Sequence, residues 1–352
     1  MNQLTLPLPP PMTEGQKRLA KVIKDLVDNP IKDTVADGPK IEFKYNSDTL
    51  VPHLMAKGGP PDGATIHRHA LGQICTRMRI NRGYVYSLLD EKSVWAVDLL
   101  VHNLNTLFAW RGTDKKYLIR SVNSQVRGFL SNAYKCLDSI TLIDKFSIYA
   151  GAVNAEPHDA FTTDLRVVVQ AALPHVWAIA GKDNVKVGVL FCNSEFGAGL
   201  AEIKFFISAY GRSMIGQRGV KKRHSGRRLS NNPFMNEQIK QEDSEKVSAE
   251  MEKHVFAHLE ATNIHAVMAE VELSANTTVD VNKISDILES LELDDTELKK
   301  AVEAFEAKRD DLPEGYTMYR LANTLAWLAA VEPNPERKLE LMGLAGGLIM
   351  KE

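Results

Sequence analysis

Lys221, Lys222, Arg223, Arg227 and Arg228 fall within eight positions of one another, with His224 among them and no carboxylate between. Closely spaced ammonium and guanidinium groups give phosphate oxygens several charge-assisted partners at once. Gly211, Gly216, Gly219 and Gly226 allow tight turns around them. That combination suits a flexible basic loop or hairpin lying along a sugar-phosphate backbone. A solvated surface loop also carries Lys and Arg, but it rarely gathers five without one balancing acid. Arg120 and Arg127, in the strand-like stretches YLIRSV and VRGFLSN, extend the basic set. Tyr84, Trp110 and Tyr134 supply rings on which bases stack. These eleven residues are the candidate nucleic-acid contacts, with single-stranded DNA as the favoured ligand.

Other chemistries fit less well. LGQICTRMRINRGYVYSLL, 71 to 89, has a helix-turn-helix rhythm: Ile74 and Met78, Ile80 at the turn, then Val85 and Leu88 or Leu89. Arg82, Tyr84, Tyr86 and Ser87 would then face a groove. Arg79 stands where that turn usually wants glycine, and Asp90-Glu91 would repel phosphates. His67 and His69 with Cys75 lack a fourth ligand for zinc. Gly197 and Gly199 are followed by Leu200-Ala201-Glu202 and not by the Gly-Lys-Ser/Thr of a phosphate loop. Glu202 and Lys204, with Asp159, Asp164 or Asp183, spell a possible Mg²⁺ nuclease, yet the E-x-K triplet arises by chance in strands with one polar face. No catalytic residue, metal or cofactor is assigned.

The elements that must position these residues sit in a chain of 352 residues, 44% hydrophobic, 25% charged and of net charge -2. That composition belongs to a globular protein and not to a disordered one. Charge is segregated: bases outnumber acids from 66 to 135, and acids dominate from 286 to 314. Cys75, Cys136 and Cys192 are odd in number and show no CxxC spacing, so reduced buried thiols are expected. MNQLTLPLPPPM lacks the features of a signal peptide, and no run approaches the roughly eighteen apolar residues of a membrane span. The expected location is the cytoplasm of a bacterial host.

A flexible Pro-rich arm, 1–13, precedes an α+β nucleic-acid-binding domain over 14–232, with a hinge near SNNPF, and an acidic α-helical domain over 233–352. Periodicity places a helix over 14–27, a strand at IEFKYN, helices across 66–109 and another at 138–150. Strands are expected at YLIRSV, VRGFLSN, DLRVVVQAA, VKVGVLFCNS and AEIKFFISAY. Asp294, with Glu297 three residues later, marks a helix start. The fold class is therefore α+β: a β-rich central sheet flanked by helices, then a helical C-terminal region.

HALGQICTRMRINRGYVYSLL, SVNSQVRGFLSNAYKCLD, NSEFGAGLAEIKFFISAYG, RHSGRR and YRLANTLAWLA occur in this order. Together they resemble a phage and plasmid protein family called domain of unknown function 932, over roughly residues 66 to 335. VRGFLSNAY and NSEFGAG are the most specific blocks. Ala133 stands where that family often carries Arg, and Cys136 also departs, so one basic contact beside Tyr134 is lost. The resemblance implies a mobile-element context and no established chemistry, and it lends no residue a role. By analogy the chain suggests an ATP-independent single-strand annealing protein, acting as a homo-oligomer, whose acidic C-terminus recruits a replication or recombination protein. The alternatives are a helix-turn-helix regulator, the Mg²⁺-dependent nuclease, and a phage structural or host-takeover protein that binds a protein partner.

Overall fold

The computed structural model describes residues 11–56, 63–179, 183–222 and 233–350. The chain is α+β with a helical C-terminal region, built on two sheets. The first contains β1 (Lys32–Asp37), β2 (Glu42–Tyr45), β3 (Pro52–Met55), β4 (Ala64–Ile66), β5 (Lys116–Val122) and β6 (Gln125–Ser131) in the order β1-β5-β6-β4-β3-β2. Its pairings are antiparallel except β4 with β6. Asn123 and Ser124 both adopt left-handed backbone, forming the two-residue hairpin turn between β5 and β6 that matches strand twist. Three helices cover one face of this sheet: α2 (Arg68–Met78), α3 (Arg82–Asp90) and α4 (Val94–Arg111). Phe108 of α4 packs 5.0 Å from Phe43 and 5.7 Å from Phe129, ring centre to ring centre.

The second sheet is an antiparallel meander of β7 (Glu156–Thr162), β8 (Val167–Ile179), β9 (Asp183–Asn193), β10 (Ala201–Ala209) and β11 (Arg212–Lys222). Its central strands read as nearly continuous apolar runs because both faces are covered. Val167, Val169, Val189 and Phe191 meet α1 (Glu14–Asp28), α5 (Ser139–Ala152) and α6 (Pro233–His258). Val168, Leu190, Cys192, Phe206 and Ile215 meet α10 (Met318–Val331) and α11 (Pro335–Gly347). At the far end, Val185, Val187, Ile207 and Met214 pack with α7 (Ala261–Asn276), α8 (Ile284–Glu289) and α9 (Asp295–Glu306).

The core is thus continuous across the expected boundary at 232/233: helices from beyond it fill both faces of the meander. The region after 233 has no separate core, because α10 and α11 bury their apolar sides on strands and not only on each other. Most of the arm lies outside the described residues, and Thr13 already caps α1, its side chain accepting from Gln16 N. Among the described residues no helix is long and apolar enough to cross a membrane.

Candidate nucleic-acid interface

The 66–111 segment folds as its apolar spacing demands. Ile74, Met78, Val85 and Leu88 are buried, and Arg79, in left-handed conformation at φ 55°, opens the three-residue link between the two helices. Asn81 caps α3 by accepting from Tyr84 N. Two helices joined by a three-residue turn are therefore present, without the glycine a helix-turn-helix usually carries there. Its four prospective base readers are nevertheless committed within the protein. Arg82 Nη2 donates to Thr76 Oγ1, Tyr86 Oη to Arg68 O and Ser87 Oγ to Tyr84 O, while Tyr84 Oη accepts from Asn103 Nδ2.

What this region leaves open is ring surface. Trp110 is 72% exposed, Trp95 60% and Tyr84 41%. Trp95, Leu99, Thr106 and Trp110 recur at helical spacing and share the outer side of α4. Tyr84 joins this side through its bond with Asn103. At the Trp110 end, the Arg111 guanidinium lies 5.4 Å from the indole centre and its Nη1 donates to Met78 O, next to exposed Arg79. Arg82 and Lys92 are also exposed, and Asp98 is the one carboxylate α4 carries. Trp95 was not among the residues singled out from sequence; its signal was the 95–99–106–110 spacing of apolar and small residues on a helix whose opposite face is already apolar.

Arg120 and Tyr134 require correction. Arg120 is 4% exposed; its Nε donates to Asp33 Oδ1 at 2.8 Å and its Nη1 to Glu195 O at 2.6 Å. Tyr134 is 8% exposed and donates to Ser194 O, and burial raises its phenol pKa. Neither reaches a groove. Both hold the 194–199 loop, SEFGAG in sequence, against the first sheet. Gln73 donates to Phe196 O and accepts from Phe129 N, while Arg166 donates to Ala198 O. The two most distinctive sequence blocks are therefore the two halves of one joint between the sheets. Arg127 lies in the same region, only partly exposed, with its guanidinium on Gln125 Oε1 and Asp164 O.

Lys221 is exposed at the end of β11, and Lys222 beside it pairs with Glu250 at 2.6 Å. Arg223, His224, Arg227 and Arg228 lie outside the described residues. The stretch after AEIKFFISAY is a strand to Lys222, paired antiparallel with β10, where a flexible basic hairpin or loop is expected from the sequence. Glu202 and Lys204 share a face of β10 and pair with each other at 2.7 Å. Asp159 pairs with Arg18, and Asp164 with Arg127 and His67. Among the described residues no three His, Cys, Asp or Glu side chains come together as metal ligands. His67 accepts from His69 N as the cap of α2, His69 bonds Phe196 O, and Cys75 is core. All three cysteines are buried and outside any disulfide, and burial pushes Cys192 up to about 12, which keeps it a thiol.

No family model, curated protein or solved structure matches the chain.

Proposed function

We propose that the protein binds single-stranded nucleic acid, DNA foremost, with little sequence preference, and supports strand pairing without ATP. The observation that carries this reading is the outward aromatic side of α3 and α4, with Tyr84, Trp95 and Trp110 exposed beside Arg79, Arg82 and Arg111. A soluble surface that presents two tryptophans and a tyrosine to water loses apolar burial unless something covers them. Bases do so through their faces, each worth about 1–3 kcal/mol, and a face carries no sequence code. Fifteen residues separate Trp95 from Trp110, about 22 Å along a helix, room for roughly six stacked nucleotides. Commitment of Arg82, Tyr84, Tyr86 and Ser87 to intramolecular bonds argues against base reading in a duplex groove. The place in phage or plasmid recombination, and action as a homo-oligomer along the strand, rest on the resemblance to the domain of unknown function 932 and on the annealing analogy.

Fluorescence titration with a thymidine oligonucleotide of about twenty residues tests the reading. Replacing both Trp95 and Trp110 by Ala should weaken binding by about 30-fold or more, up to roughly 20,000-fold if both rings stack fully. If about four phosphates are neutralised by cations drawn from Arg79, Lys221 and those after it, log K should fall with log salt at a slope of about -3. Tight binding confined to one duplex sequence, or full affinity in the double variant, would overturn the proposal and favour the helix-turn-helix regulator.

A further inference from the structure

A cavity of about 350 Å³ between the two sheets adjoins one of about 600 Å³ lined mainly by α1, α5 and α6, the two meeting along Leu26, Asn29, Ile31 and Glu195. Seven carboxylates and four cationic side chains line the pair. Three of those cations are already spent within the protein: Arg120 on Asp33 and Glu195 O, Arg127 on Asp164, and Arg166 on Glu336 and Ala198 O. The walls therefore present surplus acceptors. The first cavity holds the sharpest case. Asn193 is fully buried, its Nδ2 donates to Ser139 Oγ and Leu137 O, and its Oδ1 has no hydrogen-bond partner. A buried carbonyl oxygen left unpaired costs about 1–3 kcal/mol, which a donor from a ligand would recover. Close by, the Asp25 carboxylate has no partner among the described residues, and Glu195 accepts from Ser139 N while burial raises its carboxyl pKa. In the second cavity Asp138, whose Oδ1 caps α5 by accepting from Ile140 N and Thr141 N, and Glu245, which accepts from Gln241 Nε2, continue the acidic wall, and Leu26, Ile31 and Ile140 supply apolar surface between the acids.

We propose that these adjoining cavities bind an aliphatic polyamine, one ammonium donating to Asn193 Oδ1, Glu195 and Asp25, the next reaching Asp138 and Glu245, with methylenes along Leu26 and Ile31. The carboxylates are spaced along the walls and are not gathered at one point, which suits ammonium groups separated by a hydrocarbon chain better than a single metal ion. The site is independent of the nucleic-acid reading, since its acidic walls would repel phosphate.

Calorimetric titration of the full chain with spermidine, without nucleic acid and at fixed ionic strength, tests it. Saturable binding at one site per chain is expected, with magnesium chloride unable to replace it. The double variant Asp25→Asn with Glu245→Gln should bind about tenfold or more weakly, as loss of charge-assisted hydrogen bonds predicts. Glu245→Gln alone, at an exposed position, keeps the comparison available if the double variant does not fold. Trilysine serves as the second arm: tighter binding than spermidine assigns the ammonium to a lysine of a protein partner, and weaker binding to a free polyamine. Absence of saturable heat, equal binding of magnesium, or unchanged affinity in a folded variant would overturn the proposal. Failure of oligonucleotide binding would leave these readings untouched.

Discussion

A cation in a sequence is silent about its partner. Arg120 looked like a phosphate contact because it lies on a strand in a basic region, yet its carboxylate, Asp33, is 87 positions away. Lys135 is likewise buried, 3.1 Å from Asp243. The aromatic residues divide the same way: Trp110 and Tyr84 are exposed, while Tyr134 is an anchor inside the joint. Residue type was legible, but burial is decided by which distant element lands on top. The distinction has a measurable consequence. Arg120→Ala takes the guanidinium away from the Asp33 carboxylate and the Glu195 carbonyl in the interior, a loss of about 3–5 kcal/mol. Trp110→Ala removes a ring already in water and should alter stability by less than about 0.5 kcal/mol. Urea unfolding of the two variants gives both numbers. A stable Arg120→Ala protein that loses oligonucleotide affinity would return Arg120 to the interface.

At the scale of elements, the regular signals were readable where a single physical pattern ruled. The capping box of Asp294 and Glu297 starts α9, and the apolar runs VKVGVLFC and AEIKFFISA are β9 and β10. The outer part of β11 stays open between a hairpin and a loop in the sequence because Gly216 and Gly219 read as turn residues. Gly219 is instead demanded by a neighbour: a Cβ there would stand 2.3 Å from Ile203 O on the paired strand. Close approach of two backbones leaves no trace in a single sequence except the glycine itself. Helix α11 shows the same device at one glycine and not at the other. A Cβ on Gly346 would lie 2.0 Å from Ile215 O, whereas Gly343 faces open space. Gly346→Ala should therefore cost about 1–3 kcal/mol by forcing α11 off β11. Gly343→Ala should stabilise by about 0.5–1 kcal/mol through helix propensity alone. Thermal or urea midpoints moving in the same direction for both would show that α11 does not rest on β11.

At the scale of the molecule, the acidic C-terminal region does two things that sequence presents as one. Its charge suggests a segment kept away from phosphate, and its position in the chain suggested a detachable domain. The apolar side of these helices, however, is the cover of the meander. Val168, Leu190, Phe206 and Ile215 are buried only because Leu328, Leu341 and Met342 lie on them. A chain ending at Asn232 would present that strand face to water, a contiguous apolar patch of the kind that drives aggregation. Such a truncation should be insoluble or bind a hydrophobic dye strongly, and its nucleic-acid affinity would report on misfolding. Charge can be removed without removing cover. Glu289, Glu303 and Glu306 are exposed on α8 and α9, and none of the three belongs to the packed side. Replacing them together by Gln should leave the unfolding midpoint nearly unchanged and leave oligonucleotide affinity equal or raise it, because a repelling field has been weakened. Lost affinity in that folded triple variant would mean that these carboxylates help to form the interface, and a soluble, cooperatively folding 1–232 fragment would mean that the shared core is not what holds the sheet.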